Sequence, residues 1–441
     1  MVATRRLGRG GPGGARRLVV ALAGTTALLW VGASAILPLL PVYLRARGAS
    51  PGLVGVIMAA YYAASVVTQY PSGRLTDLVG PRAVAMGGLV LFAAASAGFA
   101  LAGAPAEAIG FRALEGVGAG AVTVAGAAAI GVHVPLAERG VAFGALYGSQ
   151  MLALAVGPLV GSLVGATSMR LLFLGACASA LLAVVPLAAA LGPVHGRRRP
   201  GGGAEAATPG GALGVAPGDG GATTRAARAA VVGVALAFGA TGLTTGVYEA
   251  CWTLLLRLRH ASAFDVGLSW TLFALPFAAL SLPAGRLAAR LDRRMLTLVA
   301  LLSSAAFCAV YPRLHDVRLL VGLGVAEAIG AVVGAPPALL ILTEAVRGDR
   351  QGAAQGVVET ARTATTAVAA AASGALFGMS TPLPFDVAAM LVTVACAAIA
   401  WWWRALPGRA AVPPSSEVGE LLATEGTSAL PESPPRRRPA R

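Results

Sequence analysis

Apolar runs long enough to cross a bilayer, separated mostly by short polar segments, follow one another from near residue 18 to near residue 404. At about 1.5 Å per residue, roughly 20 apolar residues span a hydrocarbon layer of about 30 Å. The pattern predicts twelve spanning helices, near 18–44, 50–73, 83–103, 107–132, 141–166, 170–192, 229–256, 263–285, 295–312, 317–343, 352–378 and 385–404. One polar stretch is long. Residues 193–228 are rich in Gly, Pro and Arg, cannot bury enough apolar surface to fold alone, and divide the spans into two sets of six. The expected organisation is a basic N-terminus (1–17), a first half (18–192), a linker (193–228), a second half (229–405) and a disordered tail (406–441).

Composition excludes a soluble protein: 56% of residues are hydrophobic, 12% are charged, and the mean hydropathy is +0.75. The formal charge of +15 comes from 34 basic residues, all of them Arg. With a cytoplasmic N-terminus, 25 of those Arg fall in inner segments and 7 in outer loops, while Arg112 and Arg362 lie within spans. The positive-inside rule then places both termini and the linker in the cytoplasm of a cell membrane protein, and the excess charge calls for no nucleic-acid partner. Trp401, Trp402 and Trp403 beside Arg404 read as an inner aromatic anchor. Cys177, Cys251, Cys308 and Cys396 all fall in apolar runs without metal-type spacing, so neither a disulfide framework nor a metal site is expected.

The polar segments repeat. Residues 71–82 read PSGRLTDLVGPR, and 212 residues later 283–294 read PAGRLAARLDRR. Each is expected to be a short polar turn. At the same offset Arg45, Arg47, Ala49, Ser50, Val54 and Gly55 match Arg257, Arg259, Ala261, Ser262, Val266 and Gly267, and Glu115 and Gly118 match Glu327 and Gly330. A constant offset over such distinctive residues implies duplicated six-helix halves, an architecture that places transport sites near the midplane between repeats.

The chain at this point resembles the major facilitator superfamily over about residues 18–405, and more narrowly its twelve-helix drug:proton antiporters. The family's G-x-L-x-D-x-x-G-x-R turn is matched by Gly73, Leu75, Asp77, Gly80 and Arg82, with Arg74 inside it. The second copy has Ala289 in place of the Asp, leaving Gly285, Arg286, Arg290, Asp292 and Arg294 as its gating residues. FRALEGVGAG in the fourth span is similar to R-x-x-Q-G-x-G, with Glu115 for Gln. AVGPLVGSLVG in the fifth is similar to the antiporter G-P-x-x-G-G, carrying Gly157, Pro158 and Gly161 but Ser162 for the last Gly. LPLLPVYL ending the first span is close to the P-x-x-P-x-Y of drug exporters. The resemblance implies an all-α major facilitator fold and a gating role for Asp77. On the fifth span Ala153, Gly157, Gly161 and Gly165 recur every four residues, allowing close helix approach, and Pro158 permits a bend.

Ionisable groups at membrane depth cost about 2.5–3.5 kcal/mol or more and so face cavities or partners. Six qualify as proton-coupling candidates: Arg112, Glu115, Glu249, Glu327, Glu359 and Arg362. Arg112 with Glu115, and Glu359 with Arg362, stand at i,i+3 on one helix face, either as coupling groups or as self-neutralising pairs. Glu327 has Gly324 where Arg112 stands in the first half, and is the leading candidate because an acid without a neutraliser favours its protonated form at depth. Glu249 lies close enough to the outer end of its span to reach Arg257 or Arg259. Trp30, Tyr61, Tyr62, Tyr248, Trp252, Trp270 and Phe273 supply apolar area for lipophilic cations or aromatic drugs. The reading is a monomeric proton-coupled exporter of hydrophobic small molecules. The alternatives are an importer of a polar metabolite or a non-transporting membrane sensor. No phosphate-binding loop occurs, and the four His have neither metal nor triad spacing, so no cofactor and no enzyme chemistry is expected.

Overall fold

The computed structural model describes residues 12–135, 138–165, 168–190, 221–346 and 351–404, in which every long element is a helix. The first crossing is α1 (Pro12–Ile36) and α2 (Leu40–Ala46), followed by α3 (Pro51–Val79), α4 (Pro81–Leu101), α5 (Glu107–His133), α6 (Arg139–Gly165) and α7 (Met169–Ala190). In the second half α8 (Gly221–Val247), a π-helical turn (Tyr248–Trp252) and α9 (Thr253–Leu258) make one crossing, before α10 (Ala263–Arg290), α11 (Arg293–Val310), α12 (Val317–Ala345), α13 (Gln351–Met379) and α14 (Leu383–Trp403). All twelve expected crossings are present. The structure starts α8 inside the expected linker, at Gly221; residues 193–220 and 405–441 lie outside the described ones.

The doubled polar segment is not a turn over its length. α3 runs on through Pro71, Arg74 and Asp77, and the chain reverses only at Gly80, whose φ of 89° suits glycine, before Pro81 opens α4. α10 likewise continues to Arg290, with Asp292 capping α11 by accepting from the amides of Arg294 (2.9 Å) and Met295 (3.2 Å). At 29 residues α3 is about 44 Å long against about 30 Å of hydrocarbon, so its last charged turns stand outside the membrane and can remain helical.

The halves meet through two equivalent contacts near the end that carries Gly48. A Cβ built on Gly55 of α3 would lie 2.9 Å from the carbonyl oxygen of Ala371 and from the amide of Gly374, both on α13. One built on Gly267 of α10 would lie 2.6 Å from the Pro158 carbonyl oxygen, against Ser162 of α6. The offset of 212 relates Gly55 to Gly267 and Ser162 to Gly374, so the repeat writes one backbone-on-backbone contact twice. At the other end, which carries Gly80, no hydrogen bond or ion pair joins the halves among the described residues, and Thr123 and Ala127 of α5 are exposed. The small-residue stripe of α6 faces elsewhere. Gly157 and Gly161 pack on Ser34 and Ala35 of α1 inside the same half, and Ser34 donates to the Ala153 carbonyl at 3.1 Å; Pro158 and Ser162 make the contact with the other half.

Candidate functional site

A polar seam crosses the middle of the bundle. On the first-half side Arg112 and Glu115 of α5, both buried, form an ion pair of 2.7 Å, and Ser96 of α4 donates to the free Glu115 oxygen at 2.9 Å. The Arg112 guanidinium lies 4.6 Å from the centre of the Tyr61 ring, which meets the Tyr62 ring edge-on at 5.1 Å. The Tyr62 hydroxyl donates to Glu249. Glu249 therefore does not reach Arg257 or Arg259, whose guanidinia bond the carbonyls of Ala261 (2.9 Å) and Pro312 (2.9 Å). It projects from the π-turn toward the first half, buried, with its second oxygen unpartnered.

Glu327 of α12 occupies the position equivalent to Glu115 and has a different environment. It accepts from three hydroxyls, Ser304 of α11 at 2.6 Å, Tyr311 at 2.7 Å and Tyr248 at 2.9 Å, and has no basic partner among the described residues. Gly324, the counterpart of Arg112, lines a small cavity beside it of about 40 Å³, walled by Tyr248, Trp252, Trp270, Phe273 and Tyr311. The absent guanidinium leaves the carboxylate and this aromatic space side by side. Tyr311 was not recognised in the sequence; it sits in a single 3₁₀ turn after α11, where its bond to Glu327 and its ring contact with Trp252, 4.9 Å between centroids, reveal a role. Ser304 and Ser96 were also missed, because serine in an apolar helix is common.

A larger cavity of about 260 Å³ lies in the first half toward the Gly80 end, with Trp30, Thr123, Phe143, Tyr147 and Gln150 on its wall. The aromatic candidates are thus split: Trp30 faces this cavity, Tyr248, Trp252, Trp270 and Phe273 the smaller one, and Tyr61 is buried in the seam under Arg112. Glu359 and Arg362 of α13 form a half-exposed ion pair with each other. Of the four acids singled out within the spans, Glu115 and Glu359 are thus neutralised by arginine, whereas Glu249 and Glu327 have no ion-pair partner among the described residues.

The gating candidates of the first half make no hydrogen bond or ion pair across the halves among the described residues. Asp77 makes no hydrogen bond or ion pair with a described residue, and Arg74 lies over the Tyr70 ring at 5.0 Å. Gly73 and Arg82 lie on the same α3–α4 corner. Arg294 donates to the Trp403 carbonyl (3.0 Å) and pairs with Asp292 at 3.5 Å, both within the second half. The side chains at Gly285, Arg286 and Arg290 lie outside the described ones.

Two six-helix halves joined tightly at one end, with no hydrogen bond or ion pair between them at the other among the described residues, and lined with aromatics and acids at mid-depth define a membrane carrier. A sequence model described as Major Facilitator Superfamily matches residues 22–250 and 230–439, and the chain belongs to that family of transporters. It is 37% identical over 112 residues to the inner membrane transport protein YajR of Escherichia coli K12, covering 25% of each chain. It is 30% identical over 135 residues to the chloramphenicol resistance protein of Pseudomonas aeruginosa (30% of this chain, 32% of that one) and 26% identical over 158 residues to the quinolone resistance protein NorA of Staphylococcus aureus (36% and 41%). The matched stretches span about a quarter to two fifths of these relatives. Among solved structures, a D-xylose-proton symporter superposes with a TM-score of 0.68 at 16% identity, covering 89% of this chain and 98% of that one. A bacterial homologue of the human lysosomal transporter Spinster gives 0.65 at 14% identity, covering 90% and 93%. At such identities the likeness is one of fold.

Proposed function

We propose that the protein exports hydrophobic small molecules in exchange for protons, by alternating access between its halves. The observation that carries this reading is Glu327: a buried carboxylate held only by hydroxyls, on the wall of an aromatic cavity. A group in that setting can change protonation without a counter-charge to resist it, and it does so against the space where a ligand lies. Glu249 is the second uncompensated acid and a second proton site; Arg112–Glu115 and Glu359–Arg362 are fixed ion pairs that position helices. The resistance relatives support efflux. With both termini and the linker in the cytoplasm, as the Arg distribution implies, the Gly80 end faces the cytoplasm, the side from which an exporter loads.

Energetics permit this direction. A membrane potential of 100 mV, negative inside, drives one positive charge inward with about 2.3 kcal/mol, available to a neutral outgoing molecule, while a monovalent cation exchanged for one proton draws on the pH difference alone. In everted vesicles an imposed inside-acid gradient is expected to drive ethidium accumulation, and Glu327→Gln to abolish it while ethidium still binds. Accumulation in right-side-out vesicles energised in the physiological direction would instead make the protein an importer and overturn the reading.

A further inference from the structure

The π-turn Tyr248–Trp252 sends two consecutive residues into opposite halves. Tyr248 donates to Glu327 within the second half, and Glu249 accepts from Tyr62 of the first. Among the described residues this Tyr62–Glu249 bond is the one hydrogen bond between the halves. A π-turn is a strained insertion in an α-helix, found mostly as isolated bulges and often at functional positions. Here it is held by a partner at each arm.

The hydroxyls around Glu327 are held less strongly when it takes up a proton. An ionised carboxylate accepts from all three donors; a carboxylic acid has lost its charge and a lone pair, and its own O–H is satisfied within the cluster only if one of the three turns round and accepts. Ser304 sits on regular α11, and Tyr311 is wedged against Trp252 and Phe307, with ring centroids 4.9 and 6.2 Å away. Tyr248 alone stands on an element with an alternative register. We propose that Tyr248 and Tyr62 are the positioning residues that couple proton occupancy at Glu327 to the contact between the halves, with the π-turn as the lever. When Glu327 is protonated Tyr248 is released, the turn relaxes toward α-helical register, and Glu249 swings off Tyr62. The groups facing Glu327 are Tyr248, Tyr311, Ser304 and Cys308; those facing Glu249 are Tyr62, Tyr61, Arg112 and Arg362. None of the other groups joins the two clusters.

This inference rests on Glu327 as a proton site, and the test separates the two. Spin labels at Val132→Cys on α5 and Leu339→Cys on α12, in a Cys177→Ser background, report the distance between halves in lipid nanodiscs by pulsed electron paramagnetic resonance from pH 5 to 9. The unsubstituted tyrosine pair should give a pH-dependent shift in the distance distribution. Tyr248→Phe and Tyr62→Phe should each reduce that shift at least fivefold, and Tyr311→Phe should retain it. A full shift in Tyr248→Phe, or no shift in the parent protein, overturns the coupling. A full shift in Glu327→Gln removes the proton assignment and the coupling together, whereas loss in Glu327→Gln with retention in Tyr248→Phe leaves Glu327 standing and sinks the lever.

Discussion

Gly55→Ala and Gly267→Ala test whether the twice-written glycine contact holds the carrier in the conformation described. At Gly55 the added methyl would stand 2.9 Å from the Ala371 oxygen and the Gly374 amide; at Gly267 it would stand 2.6 Å from the Pro158 oxygen. Ordinary carbon contacts need about 3.5–4.0 Å, so α3 and α13, or α10 and α6, must part by several tenths of an ångström to about 1 Å. Backbone atoms cannot rotate away as a side chain would. Overpacking of this kind costs about 1–3 kcal/mol, and the cost falls on the conformation closed at the Gly48 end, which shifts its balance with the opposite conformation about 5- to 150-fold. Thr123→Cys, exposed at the Gly80 end of α5, is the reporter: its alkylation rate by a membrane-impermeant maleimide should fall in each variant, by that factor at most and by less the more the described conformation predominates in the parent, in a Cys177→Ser background. The double variant should fall further, because the two contacts share no residues and their costs add. Unchanged alkylation in a well-expressed Gly55→Ala protein would show that the contact yields without cost and that the conformational balance is set elsewhere.

Asp77 has no partner among the described residues in this conformation, so Asp77→Asn should leave insertion and thermal stability unchanged while cutting ethidium efflux severely, because its partner is met only when the Gly80 end closes; wild-type efflux would remove it from the gate. Burial pushes the Asp292 carboxyl up, but the amides of Met295 and Arg294 and the Arg294 guanidinium outweigh it and hold the group below its ordinary value. Its stabilising effect is therefore present above the unfolded value of about 3.9 and lost as pH falls through the lower folded value. Asp292→Asn, which keeps a capping side chain without the charge, should unfold at lower temperature than the parent at pH 7 and converge with it in acid; a difference that does not change with pH would refute this.

The crossings were legible because hydrocarbon imposes one requirement on length and polarity, and the sequence obeys it within a few residues at most ends. The 71–82 segment misled for the same reason. Its charges mark where the membrane stops, which is not where the helix stops, and only Gly80 carries the reversal. Glu327 was legible through the repeat, since a missing arginine can be seen by comparing Gly324 with Arg112. The Tyr62–Glu249 bond was not, because it joins residues 187 positions apart and depends on a π-turn that YEACW does not announce. The stripe on α6 was visible as spacing, but spacing cannot tell whether small residues meet a helix of their own half or of the other, and Gly157 and Gly161 meet their own.

Among the described residues eleven segments are apolar and long enough to cross a membrane by composition, and α13 is not one of them. Its 29 residues are largely Ala, Gly and Thr with Glu359 and Arg362 within them, the small side chains that let α3 approach at Gly374 and let Gly242 and Gly246 of α8 approach its backbone. A segment selected for fit to its neighbours has little affinity for lipid. During synthesis it emerges when α3 and α8 are already made, so its entry into the bilayer is an act of assembly onto waiting helices, and damage to those faces would appear as a failure of topology before it appeared as a failure of transport.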